Sequence, residues 1–333
     1  MSNSKFILVR TPLRISFFGG GSDYPDHYNK FNGAVLSTTI NKYIYQSFRF
    51  VPPFGEVKHK IVWRHVEIVD TISEILHPSV REGLNFLKFD NKKGIEISYQ
   101  ADLPGRTGMG SSSSFTVGLI NGLSALKGQY LDNKKITDLA LELEQNVLKE
   151  SVGSQDQIAA SYGGLNLIEF NKETNYKVNP IDLNEDIKNE FLSHLILVYT
   201  GSTRFSSEIT EILIKSLKNK EKLIKHLHHM AYEGLELLKN GNIISFGKLL
   251  DESWSIKTQL SHNITNNIID DIYNLGKKKG AVGGKLLGAG SSGFILFVVP
   301  KNNRKSFINE MEKKFKVVEF DFDQHGTKII YKD

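Results

Sequence analysis

The stretch Pro104-Gly105-Arg106-Thr107-Gly108-Met109-Gly110-Ser111-Ser112-Ser113-Ser114 joins two segments of different character. Before it, residues 94–101 (GIEISYQA) alternate as a strand, with Ile95, Ile97 and Tyr99 on one side. After it, residues 112–126 are small and apolar and read as a buried helix. The glycines between permit positive φ and let backbone N–H groups approach an anion unobstructed. The free N–H groups that open the helix add positive potential. Four serines offer hydroxyls to phosphate oxygens or a magnesium ion. The combination reads as a phosphate cradle. It is not a Walker A loop, because no Lys occurs in 102–126, and the glycine spacing does not match G-x-G-x-x-G. The plainer alternative is a Ser-rich turn in which one serine caps the helix.

Outward from this loop the pattern is strands, then helices, then strands again. Residues 6–18 alternate loosely and are broken by Pro12; 34–50 (AVLSTTINKYIYQSFRF) read as one long or two paired strands. A second helix is expected over 136–149 and a strand at LNLIEF. The polar stretch 173–190 reads as a connection, placing a boundary between units 1–185 and 186–333. The second unit opens with a strand at 194–201. Helices follow near 205–218, 221–240, 243–258 and 264–279, then the strand–loop–strand AVGGKLLGAGSSGFILFVVP. The chain closes with a helix near 303–314 and strands near 316–321 and 327–331. This order favours two α+β layers over a doubly wound parallel sheet.

Composition narrows the chemistry. The 333 residues contain no Cys, which excludes disulfides, thiolate metal sites and thiol nucleophiles. Lys+Arg 42 against Asp+Glu 37 gives 42 − 37 = +5, a weak argument for nucleic acid and compatible with an anionic small substrate. No apolar run is long enough for a membrane span, and residues 1–12 lack the pattern of a signal peptide, so the cytoplasm is the expectation. Two clusters are set aside: His226, His228 and His229 as a solvated helix face, and Lys277 to Lys279 with Gly280 as a helix end. Trp63 and Trp254 show no stacking-platform pattern.

Three ordered segments resemble the GHMP kinases. Pro-x-x-x-Gly-Met-Gly-Ser-Ser-Ser is similar to that family's ATP loop. TPLRISFFGGGSDYPDHY resembles the sugar-binding signature of its sugar kinases, and GGKLLGAGSSGFILFVVP its third, glycine-rich motif. In that last motif Ser291 and Ser292 replace the more usual glycines. The first signature with VGSQDQ is most similar to the heptose-phosphate branch, with fucokinase-type enzymes as near relatives. The resemblance implies an α+β, two-domain GHMP kinase fold. Its N-terminal domain would be ribosomal-protein-S5-domain-2-like, its C-terminal domain a ferredoxin-like α/β sandwich, with the substrate cleft between them. It implies an ATP- and magnesium-dependent phosphotransferase acting on the anomeric hydroxyl of a sugar phosphate. The place would be in nucleotide-activated sugar synthesis for surface polysaccharide. No nucleic acid or membrane partner is expected, and the chain would act as a monomer or homodimer.

Site residues follow position by position. Pro104, Gly105, Arg106, Thr107, Gly108, Met109, Gly110, Ser111, Ser112 and Ser113 would hold the nucleotide. Asp156, in Gly-Ser-Gln-Asp-Gln, matches the family's base on the acceptor hydroxyl; its other reading is an N-cap. Arg14, costly in a buried strand unless paired with an anion, would orient Asp156. Glu144 lies between two apolar stripes of its helix, and a half-buried carboxylate wants a cation. The family's ion ligand matches it, with Ser112 as partner and a lysine salt bridge as the alternative. Gly20, Gly21, Ser22 and Asp23 form a tight loop, and Asp23 matches a sugar-hydroxyl contact, with an Asx turn as the alternative. Tyr24, Asp26 and His27 could line the same pocket. Gly288, Ala289 and Gly290 would border the substrate. A phosphate remote from the reacting carbon needs a basic receiver, for which Arg204 and then Lys285 are the candidates.

Overall fold

The computed structural model describes residues 6–52, 58–201 and 220–333. Its first sheet is built on β1 (Phe6–Phe18) and β2 (Gly33–Phe50), joined through α1 (Pro25–Phe31). Pro12 does not break β1. The register with β2 slips between Pro12 and Leu13, and a bulge is where a strand tolerates a missing N–H. Residues 34–50 are one strand, long enough to pair with several neighbours along its length. Beyond it come β3 (His59–Val62), β4 (Val66–Val69), α2 (Pro78–Phe86) and β5 (Ile95–Ala101). The expected buried helix is α3 (Ser111–Leu126), buried from Ser113 onward.

The next helix departs from expectation. α4 (Asn133–Leu141) widens into a π-helical turn, Glu142–Val147, before α5 (Gln155–Tyr162). A π-turn inserts one residue into the helical register and swings a side chain off its α-helical face. A 3.6-residue reading therefore leaves Glu144 half-buried, whereas in the fold it is fully enclosed.

The polar stretch 173–190 is no bare connection. β6 (Leu165–Asn171) folds back on β7 (Asn175–Pro180), and α6 (Glu185–His194) starts at once. Only Tyr176 and Val178 carry the apolar alternation of β7, and they pack under a small cluster around Tyr28 and Phe170. So short a pattern is easily taken for a loop.

The second sheet contains β8 (Leu195–Tyr199), β9 (Gly283–Leu286), β10 (Phe294–Val298) and β11 (Lys316–Val318), in the order β11-β8-β10-β9. Around it lie α7 (Glu221–Lys239), α8 (Ile243–Thr258), α9 (Asn267–Lys278) and α10 (Lys301–Glu312). The helix expected over 205–218 falls outside the described residues. The last two strands, β12 (Phe322–Asp323) and β13 (Lys328–Lys332), leave this sheet and pair with β2 and β1. Unit 186–333 therefore does not keep all of its strands, and its tail is stitched to the first sheet. The first sheet runs β13-β1-β2-β5-β3-β4, with β6 and β12 also on β2. Only the β3–β5 pair is parallel among the described residues. Such a sheet needs no chain of crossover helices, as expected of α+β architecture.

One apolar cluster spans both sheets. At its centre Phe17 and Phe18 of β1 meet Phe191 of α6 and Phe246 of α8. The ring centroids are 4.9 to 5.4 Å apart. Tilted and edge-on contacts at this spacing suit the ring quadrupoles. They fix the end of β1, and so the loop that follows, against the second half of the chain.

Candidate active site

The loop 104–110 and the turn between β9 and β10 pack back to back. Gly108 has φ +76°, and a Cβ there would stand 2.2 Å from the Leu287 carbonyl oxygen. Only glycine permits that approach, and the Thr107 carbonyl accepts from Phe294 N–H at 3.3 Å across the same seam. A cavity opens beside the seam. Arg106, Gly108, Gly110 and Ser111 to Ser113 line it on one side, Gly288, Ala289 and Gly290 on another.

The ten loop residues divide by orientation. Pro104 and Gly105 are exposed outside the cavity, while Thr107 and Met109 point into the interior. Met109 still fixes the loop, since its carbonyl accepts from Arg14 N–H at 3.0 Å. The serines divide as well. Ser111 Oγ accepts from Arg106 N–H at 3.1 Å, Ser114 Oγ donates to the Pro12 carbonyl at 2.9 Å, and Ser112 is exposed at the cavity. Ser113, not Ser112, donates to Glu144, at 3.0 Å. One step along α3 turns Ser112 outward and Ser113 toward the π-turn.

Glu144 also accepts from the Gln157 side-chain amide, and its Oε1 is buried with no partner. Burial pushes its carboxyl up to about 7, against the donors that face it. An enclosed carboxylate with an unused oxygen beside a cavity-lining serine fits magnesium. That ion takes one or two protein oxygens and completes its shell with water and phosphate. No cluster of three or more His, Cys, Asp or Glu stands ready as a self-sufficient metal site among the described residues. Ser113 and Glu144 would hold the ion only together with a nucleotide.

Against the same loop, where a Cβ on Gly110 would stand 3.3 Å from Asp156 Oδ2, Arg14 makes a two-pronged contact with Asp156. Its Nε donates to Oδ1 at 2.7 Å and a terminal nitrogen to Oδ2 at 2.8 Å. The other terminal nitrogen donates to the Gly108 carbonyl at 2.5 Å. One guanidinium thus ties the carboxylate to the loop, and the planar fork fixes the carboxylate's orientation. Asp156 lies in the first turn of α5, whose N-cap is Ser154. It is held by Arg14 and does not cap the helix.

Asp23 is buried beside it. It accepts from Gly21 N–H at 2.9 Å and Gln155 N–H at 3.3 Å, welding the turn 19–23 to α5. Gly153 allows this, because a Cβ there would overlap the Asp23 carboxylate. Burial raises the Asp23 carboxyl above its ordinary value, and the nearby Asp156 charge adds to the rise. Gly20, Gly21 and Tyr24 line the cavity with it, but Asp26 and His27 do not. Ser22 does not either. Its hydroxyl donates to the Gly19 carbonyl at 2.7 Å and accepts from Ala34 N–H at 3.1 Å, so it holds the turn to β2.

Arg204 lies outside the described residues. Lys285 lines the cavity, and so does a cation that sequence reasoning missed, Lys257 at the end of α8. Only its place near the end of an amphipathic helix marked it, and surface lysines share that signal. Gln155, Ser16 and Ser292 also line the cavity unanticipated.

Together these groups can hold a polyphosphate tail along the loop and an acceptor hydroxyl against the fixed carboxylate beside it. Models of two families match the chain: "GHMP kinases N terminal domain" over residues 75–164 and "GHMP kinases C terminal" over 235–317. The D-glycero-alpha-D-manno-heptose 7-phosphate kinase of Campylobacter jejuni is 28% identical over 97% of this chain and 98% of its own length. The galactokinase of Thermotoga petrophila is 22% identical, covering 92% and 93%. The crystal structure of a D-glycero-D-manno-heptose 1-phosphate kinase from Bacteroides thetaiotaomicron superposes with a TM-score of 0.80. It covers 98% of this chain and 99% of its own at 22% identity, a likeness of fold. No helix among the described residues is long and apolar enough to cross a membrane. The loop, the glycine seam and the arginine-held aspartate thus sit in a chain that belongs to the GHMP kinases, as a sugar kinase transferring phosphate to an alcohol acceptor.

Proposed function

We propose that the chain transfers the γ-phosphoryl group of ATP to the anomeric hydroxyl of D-glycero-D-manno-heptose 7-phosphate, giving heptose 1,7-bisphosphate and ADP. The observation that carries this is the Arg14–Asp156 fork, packed against Gly108 and Gly110 where α3 opens, in one cavity with the loop. The full-length likeness to the Campylobacter enzyme supports the acceptor.

Phosphoryl transfer asks a protein mainly for alignment and charge neutralisation. The Asp156 carboxylate accepts the proton of the C1 hydroxyl as its oxygen bonds to the γ-phosphorus. The bond from that phosphorus to the β–γ bridging oxygen breaks, and ADP leaves. Arg14 keeps both carboxylate oxygens in place through the exchange, and backbone amides from Gly108 to Ser113 face the developing charge. Magnesium, held by Ser113 and Glu144, would supply neutralisation of the nucleotide's phosphates. Asp23 and the side-chain-free Gly20 and Gly21 would seat the sugar ring.

The test is ADP release over a panel of sugars with and without a terminal phosphate, with phosphorus NMR locating the new ester. Heptose 7-phosphate should be turned over with the highest kcat/KM and gain its phosphate at C1. Preference for fucose or galactose would favour the second reading, an unphosphorylated acceptor, toward which the galactokinase likeness points.

A further inference from the structure

The transfer described above leaves two ammonium groups of the cavity unused. Lys285, on β9, donates to the Phe17 carbonyl at 2.7 Å. Lys257 donates to the Leu286 carbonyl at 3.0 Å and the Gly288 carbonyl at 2.5 Å. Both side chains line the cavity, and among the described residues neither forms an ion pair. An ammonium has three donors, so each retains some for a ligand. Arg14 is the cation nearest to them in effect, and its own charge is already matched by Asp156.

Two uncompensated cations packed side by side are costly in a protein interior. The cost is visible in both groups. Burial lowers Lys257 to about 7, helped by Arg14, and lowers Lys285 well below its ordinary value, helped by Lys257 and Arg14. Ser16, on the same wall, has a buried hydroxyl with no partner. A Cβ on Gly20 would stand 3.8 Å from that hydroxyl and 3.7 Å from the Gln155 amide nitrogen, so the missing side chain leaves room beside polar groups. The carbonyl that holds Lys285 belongs to Phe17, three residues before Gly20. The ammonium therefore stands on the acceptor side of the cavity.

On the reading of this cavity as the acceptor site, we infer that Lys257 and Lys285 receive a phosphate monoester carried by the sugar at the end remote from the hydroxyl being phosphorylated. The pair selects phosphorylated over unphosphorylated acceptors. A dianion placed between the ammoniums supplies the countercharge that no described residue gives them, and Ser16 offers it a further hydrogen bond.

Lys257→Met and Lys285→Met keep side-chain length and remove the charge. The measured quantity is kcat/KM for heptose 7-phosphate divided by kcat/KM for heptose. Each variant should lower this ratio roughly 10- to 100-fold, the range for a lost charged hydrogen bond. A ratio that stays at the wild-type value while kcat falls equally with both sugars would overturn the inference, because the lysines would then act on the transferred group. A wild-type ratio at or below one would instead sink the acceptor assignment, and this inference with it. Wild-type protein gives a check that needs no variant. Heptose 7-phosphate without nucleotide should protect Lys257 from acetylation, read by mass spectrometry, and heptose should not; equal protection by both sugars contradicts the inference.

Discussion

On one wall of the cavity, residues 104–113 contain no lysine, and the lining is Arg106 with the glycines and serines that open α3. On the other, α8 and β9 present Lys257 and Lys285, neither of which has a carboxylate partner among the described residues. The first wall costs little to keep, because amide dipoles are tied into a helix start whether or not a ligand is present. The second carries a desolvation cost that a bound anion relieves without loss of a proton. A site can therefore grip one anion by preformed geometry and another by stored charge. Asp156 stands against the first wall at Gly110, its orientation fixed by Arg14 from a third part of the chain.

The contrast can be broken most severely at that carboxylate. Asp156→Asn should keep ATP binding and lower kcat by about 10²- to 10⁴-fold, as expected for a lost general base. Single-turnover kinetics would read it, and wild-type turnover would remove Asp156 from that role.

Glu144→Gln comes next. The folded carboxyl titrates near 7 and an ordinary one at 4.5, so the folded state holds the proton more tightly. That advantage is complete below about pH 4.5 and is lost as pH rises through 7. Glutamine does not ionise. The variant should therefore gain stability over wild type between pH 5 and 8 without divalent metal, by up to about 3 kcal/mol. Thermal melts at the two pH values test this, and no pH-dependent difference would contradict it. The same variant should need more magnesium for half-maximal activity.

Gly108→Ala attacks the first wall. A Cβ driven toward the Leu287 carbonyl, on a backbone at φ +76°, should cost about 1–3 kcal/mol of stability. It should also raise KM for ATP by displacing the loop. An unchanged Tm and KM would show that the seam is not rigid.

Ser22→Ala is the mildest. Its hydroxyl bonds within the turn and to β2, so stability should fall by about 1 kcal/mol while the sugar KM moves less than twofold. A large KM change would return Ser22 to the sugar site.

Legibility in the sequence followed locality. The loop between β5 and α3, the two other glycine-rich turns, and most strands and helices are patterns within a dozen residues, and each could be read directly. Asp156 and Arg14 could be named because each sits in a recognisable local segment, and the family resemblance supplied their pairing across 142 positions. Lys257 has no such segment. Ser113 could not be told from Ser112, because the choice depends on the direction in which α3 faces the π-turn. The π-turn itself leaves no clear mark in the apolar period. β7 was hidden by the shortness of its alternation, and nothing near residues 322–332 says which sheet they join.

The sequence by itself determined where backbone can bend toward an anion, which segments extend or coil, and that no thiol chemistry is available. Those are properties of residues and their neighbours, set by φ freedom, side-chain period and composition. Only the tertiary structure decided that Glu144 is enclosed, that two lysines share a cavity with Arg14, and that the chain's end returns to its first sheet. Burial and charge coupling depend on distances between remote residues, and those distances exist only once the aromatic cluster of Phe17, Phe18, Phe191 and Phe246 has brought the two halves together.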